Sequence, residues 1–186
     1  GASMAQTVWN GSGSDSNWST GANWVGGAPP PSANTSFVQF GLPSGNFTPN
    51  ADSPWTLNRL DITGATAYTL TGSTLTFNGA SPQINTGGAA HSIANDLILA
   101  ATVSLANATE LNLTGSVTGA GSVTKSGAGT LAMPGAPLNG GGVAINTGTL
   151  QIGTGAPLVV SGNFGGDVVN NGTLVVNNDA GGFFVV

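Results

Sequence analysis

Two glycine-bounded runs decide the fold: Val123-Thr124-Lys125-Ser126-Gly127-Ala128-Gly129-Thr130-Leu131 and Gly148-Thr149-Leu150-Gln151-Ile152. In both runs, apolar residues alternate with polar ones over a few positions, which is the pattern of a half-buried β-strand. Glycine accepts backbone conformations with φ > 0 that other residues avoid, so it marks places where the chain turns sharply. The two runs therefore predict short strands that are joined by tight glycine turns.

Similar short runs recur along the chain. Anchored on the first apolar residue of each, they begin at Leu60, Leu75, Leu97, Leu111, Leu131, Leu150 and Leu174. The spacing varies and is shortest between Leu97 and Leu111, but it drifts around a repeat of roughly 20 residues, which is typical of a solenoid whose coils bury their apolar sides against one another. A β-sandwich also has short strands. The recurring Thr-Leu step, followed by an apolar residue two places later, favours similar stacked coils.

One segment leaves a helix open as an alternative. Residues 89–114 contain no Gly or Pro, and Ile93 and Leu97 lie at a helical spacing. Helices of this length are usually built from Ala, Leu, Glu and Lys, and the chain has one Glu and one Lys. The pair Leu97 and Leu99 alternates as in a strand, so we predict strands throughout this segment.

Composition excludes several classes of function. Charged residues make up 5% of the chain, the net charge is −5, and Arg59 and Lys125 are the two cations. Nucleic-acid binding needs many cations to displace phosphate counterions, and anionic membranes attract the same residues. No apolar run approaches the roughly 20 residues that span a bilayer. We therefore expect no nucleic-acid partner and no membrane insertion of this segment. The absence of Cys fits an exported bacterial protein, and it is equally allowed in the cytosol.

The two ends of the chain differ from its middle. Residues 1–4 are interpreted as a cloning scar, and residues 5–54 hold most of the prolines and three of the four tryptophans. We interpret 5–54 as a Trp- and Pro-rich N-terminal cap over the first coil, whose open edge needs covering. Residues 55–186 are predicted to form the solenoid, which is interpreted as truncated because it stops in an apolar run at 183–186.

Trp9, Trp18 and Trp24 are the candidate ligand-binding residues of the N-terminal region. Exposed aromatic faces stack well on sugars, so these rings predict a carbohydrate platform if they are exposed. The competing interpretation is that they are buried as the apolar part of the cap, since large aromatic residues in small domains are mostly structural. We favour the buried arrangement.

The Lys125–Leu131 run carries a resemblance to a known family. It is similar to the autotransporter-associated β-strand repeat, also called the passenger-associated transport repeat, whose core is a Lys-x-Gly-x-Gly-Thr-Leu run. The matching residues are Lys125, Gly127, Gly129, Thr130 and Leu131, followed by a Gly-Thr-Leu strand at Gly148, Thr149 and Leu150. The sequence departs from the family's pattern at 133–135 and at 138–142, which leaves the coil boundaries there open. The resemblance implies a right-handed parallel β-helix, export by a type V route and display at the bacterial surface.

Candidate catalytic residues are few and dispersed. His91 is the only histidine, so a zinc site with several histidines is excluded, and no Gly-x-Ser-x-Gly run marks a nucleophilic serine. We interpret His91 as a turn or surface residue. Asp96 and Glu110 each lie just before an apolar run, and they are the best pair for glycan hydrolysis if adjacent coils stack them. We interpret both as solvated turn acids and predict that the chain is not an enzyme and has no metal or cofactor.

Three weaker possibilities concern single polar features. Asp15 in a Gly-Ser-Asp-Ser-Asn run offers one carboxylate for calcium, which makes a weak site. Lys125 suggests a Lys–Asn cross-link, but its place in the repeat favours an exposed turn lysine, and Arg59 is likewise expected to be isolated. The Thr pairs 69/71 and 74/76 suggest an ice-binding array, yet they do not recur in later coils.

The sequence as a whole predicts an all-β fold, a right-handed parallel β-helix (β-solenoid) with an N-terminal cap. Its predicted function is that of a structural or adhesive passenger segment of a secreted bacterial surface protein, without catalysis. Expected partners are glycans or surface proteins, and the chain is expected to continue into further repeats or a translocator barrel. The alternatives are a carbohydrate-binding module that uses the Trp segment and a β-helical enzyme that acts on glycans.

Overall fold

The computed structural model describes residues 6–134, 140–153 and 165–177. Within these ranges the regular structure is almost entirely short strands, with one 3-10 turn at Gly21–Asn23. The strands are β1 Gln6–Trp9, β2 Phe37–Phe40, β3 Asn50–Ala51, β4 Trp55–Leu57, β5 Arg59–Ile62, β6 Thr69–Gly72, β7 Leu75–Phe77, β8 Gln83–Thr86, β9 His91–Ile93, β10 Leu97–Leu99, β11 Val103–Asn107, β12 Leu111–Leu113, β13 Val117–Thr118, β14 Val123–Ser126, β15 Thr130–Met133, β16 Val143–Ile145, β17 Thr149–Ile152, β18 Val168–Asn170 and β19 Thr173–Val176. The apolar run at 183–186 and most of 135–142 lie outside the described residues.

The strands form three parallel sheets that the chain visits in turn. Face 1 has the order β1-β2-β5-β8-β11-β14-β16-β18, face 2 has the order β3-β6-β9-β12-β15-β17-β19, and face 3 has the order β4-β7-β10-β13. Each circuit of the faces is one coil, and the coils stack into a β-solenoid of about six turns. The predicted all-β solenoid is confirmed. Residues 89–114 form β9 to β12, so strands rather than a helix occupy that segment.

The length of one coil follows from which residues pair between neighbouring strands. Along face 1, Val103 pairs with Val123 and Val123 with Val143, and these pairs define the length of one coil. The leucines that mark the short runs in the sequence do not all lie on the same face: Leu97 is on face 3 and Leu111 is on face 2. The short spacing between these two leucines was therefore wrong as a coil length: it is a step from one face to the next.

The interior consists of columns of side chains that point inward from successive coils. On face 2 one column joins His91 to four leucines, at Leu111, Leu131, Leu150 and Leu174. Side chains alternate across a strand, so every second residue of each short strand faces this interior. A buried leucine is stabilised by about 1.5–3 kcal/mol relative to an exposed one. Coil stacking repeats that gain at every level of the column.

Parallel stacking begins within the range that the sequence assigns to the cap. Strand β1 pairs with β2 from Gln6↔Phe37 to Trp9↔Phe40, and β2 pairs with β5. Residues 23–25 then run antiparallel to the end of β1: the Val25 N–H donates to the Val8 carbonyl at 2.8 Å. This segment pairs with part of the first strand's outer edge. Its role as a cap stays a prediction.

Glycines at the coil corners are required by the closeness of the coil before them. Gly127 has φ +84°, and a Cβ there would lie 2.3 Å from the Asn107 carbonyl oxygen of the preceding coil. Gly148 repeats the arrangement one coil later, with φ +72° and a Cβ position 2.3 Å from the Gly127 carbonyl oxygen. The repeated Gly of the motif is therefore fixed by both backbone conformation and space. In the described part of the chain, no helix is long and apolar enough to cross a membrane.

Replacing Gly127 by Ala separates these two effects when it is compared with Gly26→Ala. Gly26 has a similar φ of +89° but no atom within 4 Å of its Cβ position. We expect Gly26→Ala to lower the free energy of unfolding by about 1–2 kcal/mol, the conformational cost alone. Gly127→Ala should cost about 2–5 kcal/mol, because the carbonyl contact adds an overpacking penalty. Urea unfolding measures both values, and equal losses would contradict the packing argument.

Candidate functional site

The three candidate tryptophans of the N-terminal region lie in the interior. Trp9 and Trp18 are 0% exposed and Trp24 is 1% exposed. The Trp9 and Trp24 rings meet edge to face with centroids 5.0 Å apart, and the Trp18 and Trp24 rings do so at 5.7 Å. Phe40 contacts all three rings. These are the offset geometries that aromatic quadrupoles favour, so the cluster is a packed core.

An exposed platform at these positions is contradicted by their burial. The Trp24 indole N–H donates to the Trp18 carbonyl at 2.7 Å, and the Trp9 indole N–H donates to the Asn46 carbonyl at 3.0 Å. The ring faces and these two polar atoms are thus engaged within the protein. Sugar stacking needs at least one open ring face, so the buried arrangement favoured from the sequence is confirmed, and the alternative of a platform at Trp9, Trp18 and Trp24 is contradicted.

His91 is buried, and the expectation of a surface or turn position was wrong. It lies on β9 with 1% of its area exposed. The Tyr68 backbone N–H donates to Nδ1 at 3.1 Å, and Nε2 lies 2.9 Å from the Gly87 carbonyl oxygen. Because a carbonyl only accepts, Nε2 carries the proton and the ring is neutral. Burial lowers the pKa of His91, and the Gly87 bond opposes that effect only in part.

Lys125 is also buried, so the expected exposed turn lysine was wrong. Its register neighbours on face 1 are Leu105 and Ile145, which places it in an inward column that is otherwise aliphatic at these levels. The side chain is 0% exposed. A lysine is rarely tolerated there unless its ammonium group finds acceptors.

Backbone carbonyls supply those acceptors for Lys125. Nζ donates to the Thr147 carbonyl at 3.1 Å, to the Gly127 carbonyl at 3.2 Å and, more weakly, to the Ser126 carbonyl at 3.5 Å. Thr147 belongs to the following coil, so the ammonium group joins two coils at the corner where Gly127 turns the chain. Burial lowers the pKa of Lys125. The Lys of the repeat motif is therefore an internal cation that ties one coil to the next.

The remaining motif residues shape the same corner. A Cβ at Gly129 would lie 2.0 Å from the Thr109 carbonyl oxygen of the preceding coil, which explains the second glycine. Thr130 pairs with Thr149 and points outward, while Leu131 pairs with Leu150 and points inward. The whole motif is thus accounted for by coil stacking.

The candidate carboxylates are engaged separately. Asp96 precedes β10 on face 3, and Glu110 precedes β12 on face 2. Hydrogen bonds from the Ser116 hydroxyl and backbone N–H lower the pKa of Asp96, while the Glu110 carboxylate accepts from Asn112 at 2.8 Å. The two acids therefore belong to different faces, bind different partners and are both exposed, which agrees with their interpretation as separate turn acids and not with the alternative of a stacked pair for glycan hydrolysis.

Asp15 is surrounded by donors. The Asn17 backbone N–H, the Thr20 hydroxyl and the Asn23 amide all donate to its carboxylate, and these bonds lower its pKa, the Asn17 contribution being the largest. Calcium is bound by several oxygen ligands, and donors aimed at one carboxylate do not provide them. Among the described residues there is no group of three His, Cys, Asp or Glu side chains placed to hold a metal.

Arg59 is paired, which corrects the expectation that it is isolated. Its Nε and Nη2 donate to the two oxygens of Asp61 at 2.9 and 2.8 Å. Arg59 also lies over the Phe37 ring, with Cζ 4.4 Å from the ring centroid, and Asn85 donates to Asp61 at 2.8 Å. An Arg-x-Asp pattern in a strand places both side chains on one side, so the sequence contained a signal for this pair.

The outward-facing threonines form single columns, one residue wide. On face 3 the column runs Thr56, Thr76, Ile98 and Thr118. Thr69 pairs with Ser92 and Thr71 with Asn50, so the threonine pairs 69/71 and 74/76 do not build a second column of threonines for an ice-binding array.

Beside face 2, a cleft of about 180 Å³ near Leu42 and Phe47 is smaller than the roughly 300–1,000 Å³ of ordinary ligand pockets.

The chain was compared with family models, curated proteins and solved structures. No family model matches it. No curated protein matches it. No solved structure matches it. The resemblance drawn from the Lys125 run therefore stays a prediction, as do the absence of catalysis and the place where the protein acts.

His91 predicts a loss of stability in mild acid. Its pKa is lower in the folded state than the usual 6.5, so the unfolded chain takes up the proton first, and the free energy of unfolding falls as the pH drops below about 6.5. His91→Asn, whose Oδ1 can accept from the Tyr68 N–H, should lack this fall. Urea unfolding from pH 7 to pH 5 tests it. Equal slopes for the two proteins would contradict it, and Asp15 and Asp96 titrate at lower pH.

Lys125 predicts a rise in stability with pH in alkali, the same sign of pH dependence as for His91 but in a higher pH range. Burial lowers the pKa of Lys125 in the folded state, so between that pKa and the ordinary value of 10.5 the unfolded chain keeps a proton that the folded chain has lost. The free energy of unfolding therefore rises with pH across this range. Lys125→Met keeps the chain length and removes the titration. The difference in unfolding free energy between wild type and variant should therefore shift in favour of wild type between pH 8 and pH 10.5. A constant difference would show that Lys125 is not desolvated.

Proposed function

We propose that the chain is a structural, adhesive passenger segment of a secreted bacterial surface protein, with no catalytic role. The observation that carries the proposal is the continuous stacking of short coils through the registers of faces 1 and 2, with face 3 joining them from β4 to β13. Each coil adds about 4.8 Å to the solenoid, so six turns make a rod of roughly 30 Å. Length that grows by repetition suits a stalk that holds other parts of a protein away from a surface.

The repeat motif supports the assignment as a passenger segment. Lys125 and Gly127 act together at one corner, where the lysine donates to Thr147 of the next coil. A residue pattern that exists to join coils fits a repeat family whose members extend by adding coils. The type V secretion route enters the proposal from the resemblance of this motif to the autotransporter-associated repeat.

The competing functions have less support. A carbohydrate-binding module built on Trp9, Trp18 and Trp24 loses its physical basis, because those rings are buried. A glycan-active enzyme needs two carboxyls within about 5–9.5 Å, and Asp96 and Glu110 lie on different faces with separate partners. The stalk therefore stays the leading proposal.

Surface display is tested on intact cells of the source bacterium with an antibody raised against the purified segment. We expect the antibody to label unbroken cells, and an added protease to remove the antigen while a cytoplasmic marker survives. Deleting one coil of the segment, from Val123 to Gly142, should shorten the protein but leave labelling in place. Signal that appears only after lysis would overturn the proposal.

A further inference from the structure

Face 1 carries one polar cluster on its outer surface, toward the N-terminal end of the solenoid. Arg59 and Asp61 on β5 form its centre, with Phe37 on β2 and Asn85 on β8 beside them. The cluster contains the only arginine of a chain with two cations. It is also the one salt bridge among the described residues. We name it the Arg59 cluster.

The guanidinium group of Arg59 is held rigidly and keeps free donors. An arginine has five N–H donors, and Asp61 takes one from Nε and one from Nη2, which leaves Nη1 and the second Nη2 hydrogen. No other described residue accepts from them. The Phe37 ring beneath and the Asp61 carboxylate beside it fix the plane of the group, and its side chain is 33% exposed. A fixed, partly exposed fork loses little entropy when it binds two acceptors.

Planar amides extend the cluster on both sides. Gln39 and Asn85 are the register neighbours of Asp61, and Gln83 is a register neighbour of Arg59. All three amide side chains are partly exposed. The Gln39 oxygen accepts from the Gln6 amide, and the Asn85 amide donates to Asp61 and, at 3.5 Å, to the Gln83 oxygen. An amide oxygen has two lone pairs and an amide nitrogen two hydrogens, so each of these side chains keeps hydrogen-bonding capacity for a ligand beside the guanidinium fork.

Charge decides what such an array attracts. The Arg59–Asp61 pair has no net charge, and the chain as a whole carries −5. Anionic ligands therefore gain little Coulomb attraction here and are repelled at long range. A neutral ligand with adjacent hydroxyls both accepts from the fork and donates to the amide oxygens.

We propose that the Arg59 cluster is a contact site for neutral glycans. The guanidinium fork donates to two ring hydroxyls, and the flanking Gln and Asn side chains exchange hydrogen bonds with the next ones. This inference names a ligand class for the adhesive part of the proposed function, and it rests on that function only for its biological setting. Binding to the purified protein is measured independently of where cells place it, so the two proposals fail separately.

The single arginine makes the test specific. Purified protein is titrated with neutral oligosaccharides of glucose, galactose, mannose and N-acetylhexosamine, and with uronic- and sialic-acid oligosaccharides, while its amide and arginine Nε–H signals are followed by NMR. We expect at least one neutral glycan to bind at about millimolar affinity, as suits a flat surface. It should shift the Arg59 Nε–H signal and the amides of β2, β5 and β8. No binding, or binding of acidic glycans alone, would overturn the proposal.

Two variants and a control complete the experiment. Arg59→Lys keeps the charge and removes the fork, and the double change Arg59→Gln with Asp61→Asn removes both charges without leaving a buried carboxylate alone. Each should weaken glycan binding roughly tenfold or more. Thr124 lies in the same outward column, two coils beyond Gln83, and the control variant Thr124→Ala should bind as wild type does. Unchanged affinity in a folded double variant, checked by circular dichroism, would show that the glycan binds elsewhere.

Discussion

The register between successive coils is the constraint on which the rest of this structure depends. Parallel strands stack about 4.8 Å apart, so a residue meets its counterpart from the next coil at every position. Inward positions form columns such as His91, Leu111 and Leu131. Corner positions form columns of glycines, because a Cβ there would overlap with a carbonyl oxygen of the preceding coil. Side-chain choice at one coil is therefore set by its neighbours on either side.

Polar groups inside the solenoid follow from the same constraint. A buried polar side chain needs a partner, and in a stacked coil the nearest acceptors are the backbone carbonyls at the corners. Lys125 uses those of Gly127 and Thr147, and His91 uses the Gly87 carbonyl together with the Tyr68 N–H. Both residues are ionisable groups in a column of aliphatic ones, and both have lowered pKa values because of burial. Their chemistry serves cohesion between coils.

The outer surface is where the protein differs from one coil to the next. Most outward positions carry Thr, Ser, Asn or Gln, which are hydrated without strong fields. The Arg59 cluster interrupts that pattern with a fixed guanidinium, a partly exposed ring and several amides. A stalk needs only the inward columns and the corners, so an ordered polar cluster on the outside is the natural place for a function beyond support.

The sequence by itself determined the fold class, because alternation, glycine turns and a recurring strand pattern are local signals that each coil carries alone. It also identified the Lys125 run as the residues that matter for coil stacking. Only the tertiary structure decided the environments of single polar residues. Lys125 and His91 are inside and Arg59 is paired, since exposure is set by which coil lies above and below, and a lone strand contains no information about that. The same reason applies to Trp9, Trp18 and Trp24. Their large apolar rings favoured a core position, and in the structure the rings are covered by Phe40 and by one another.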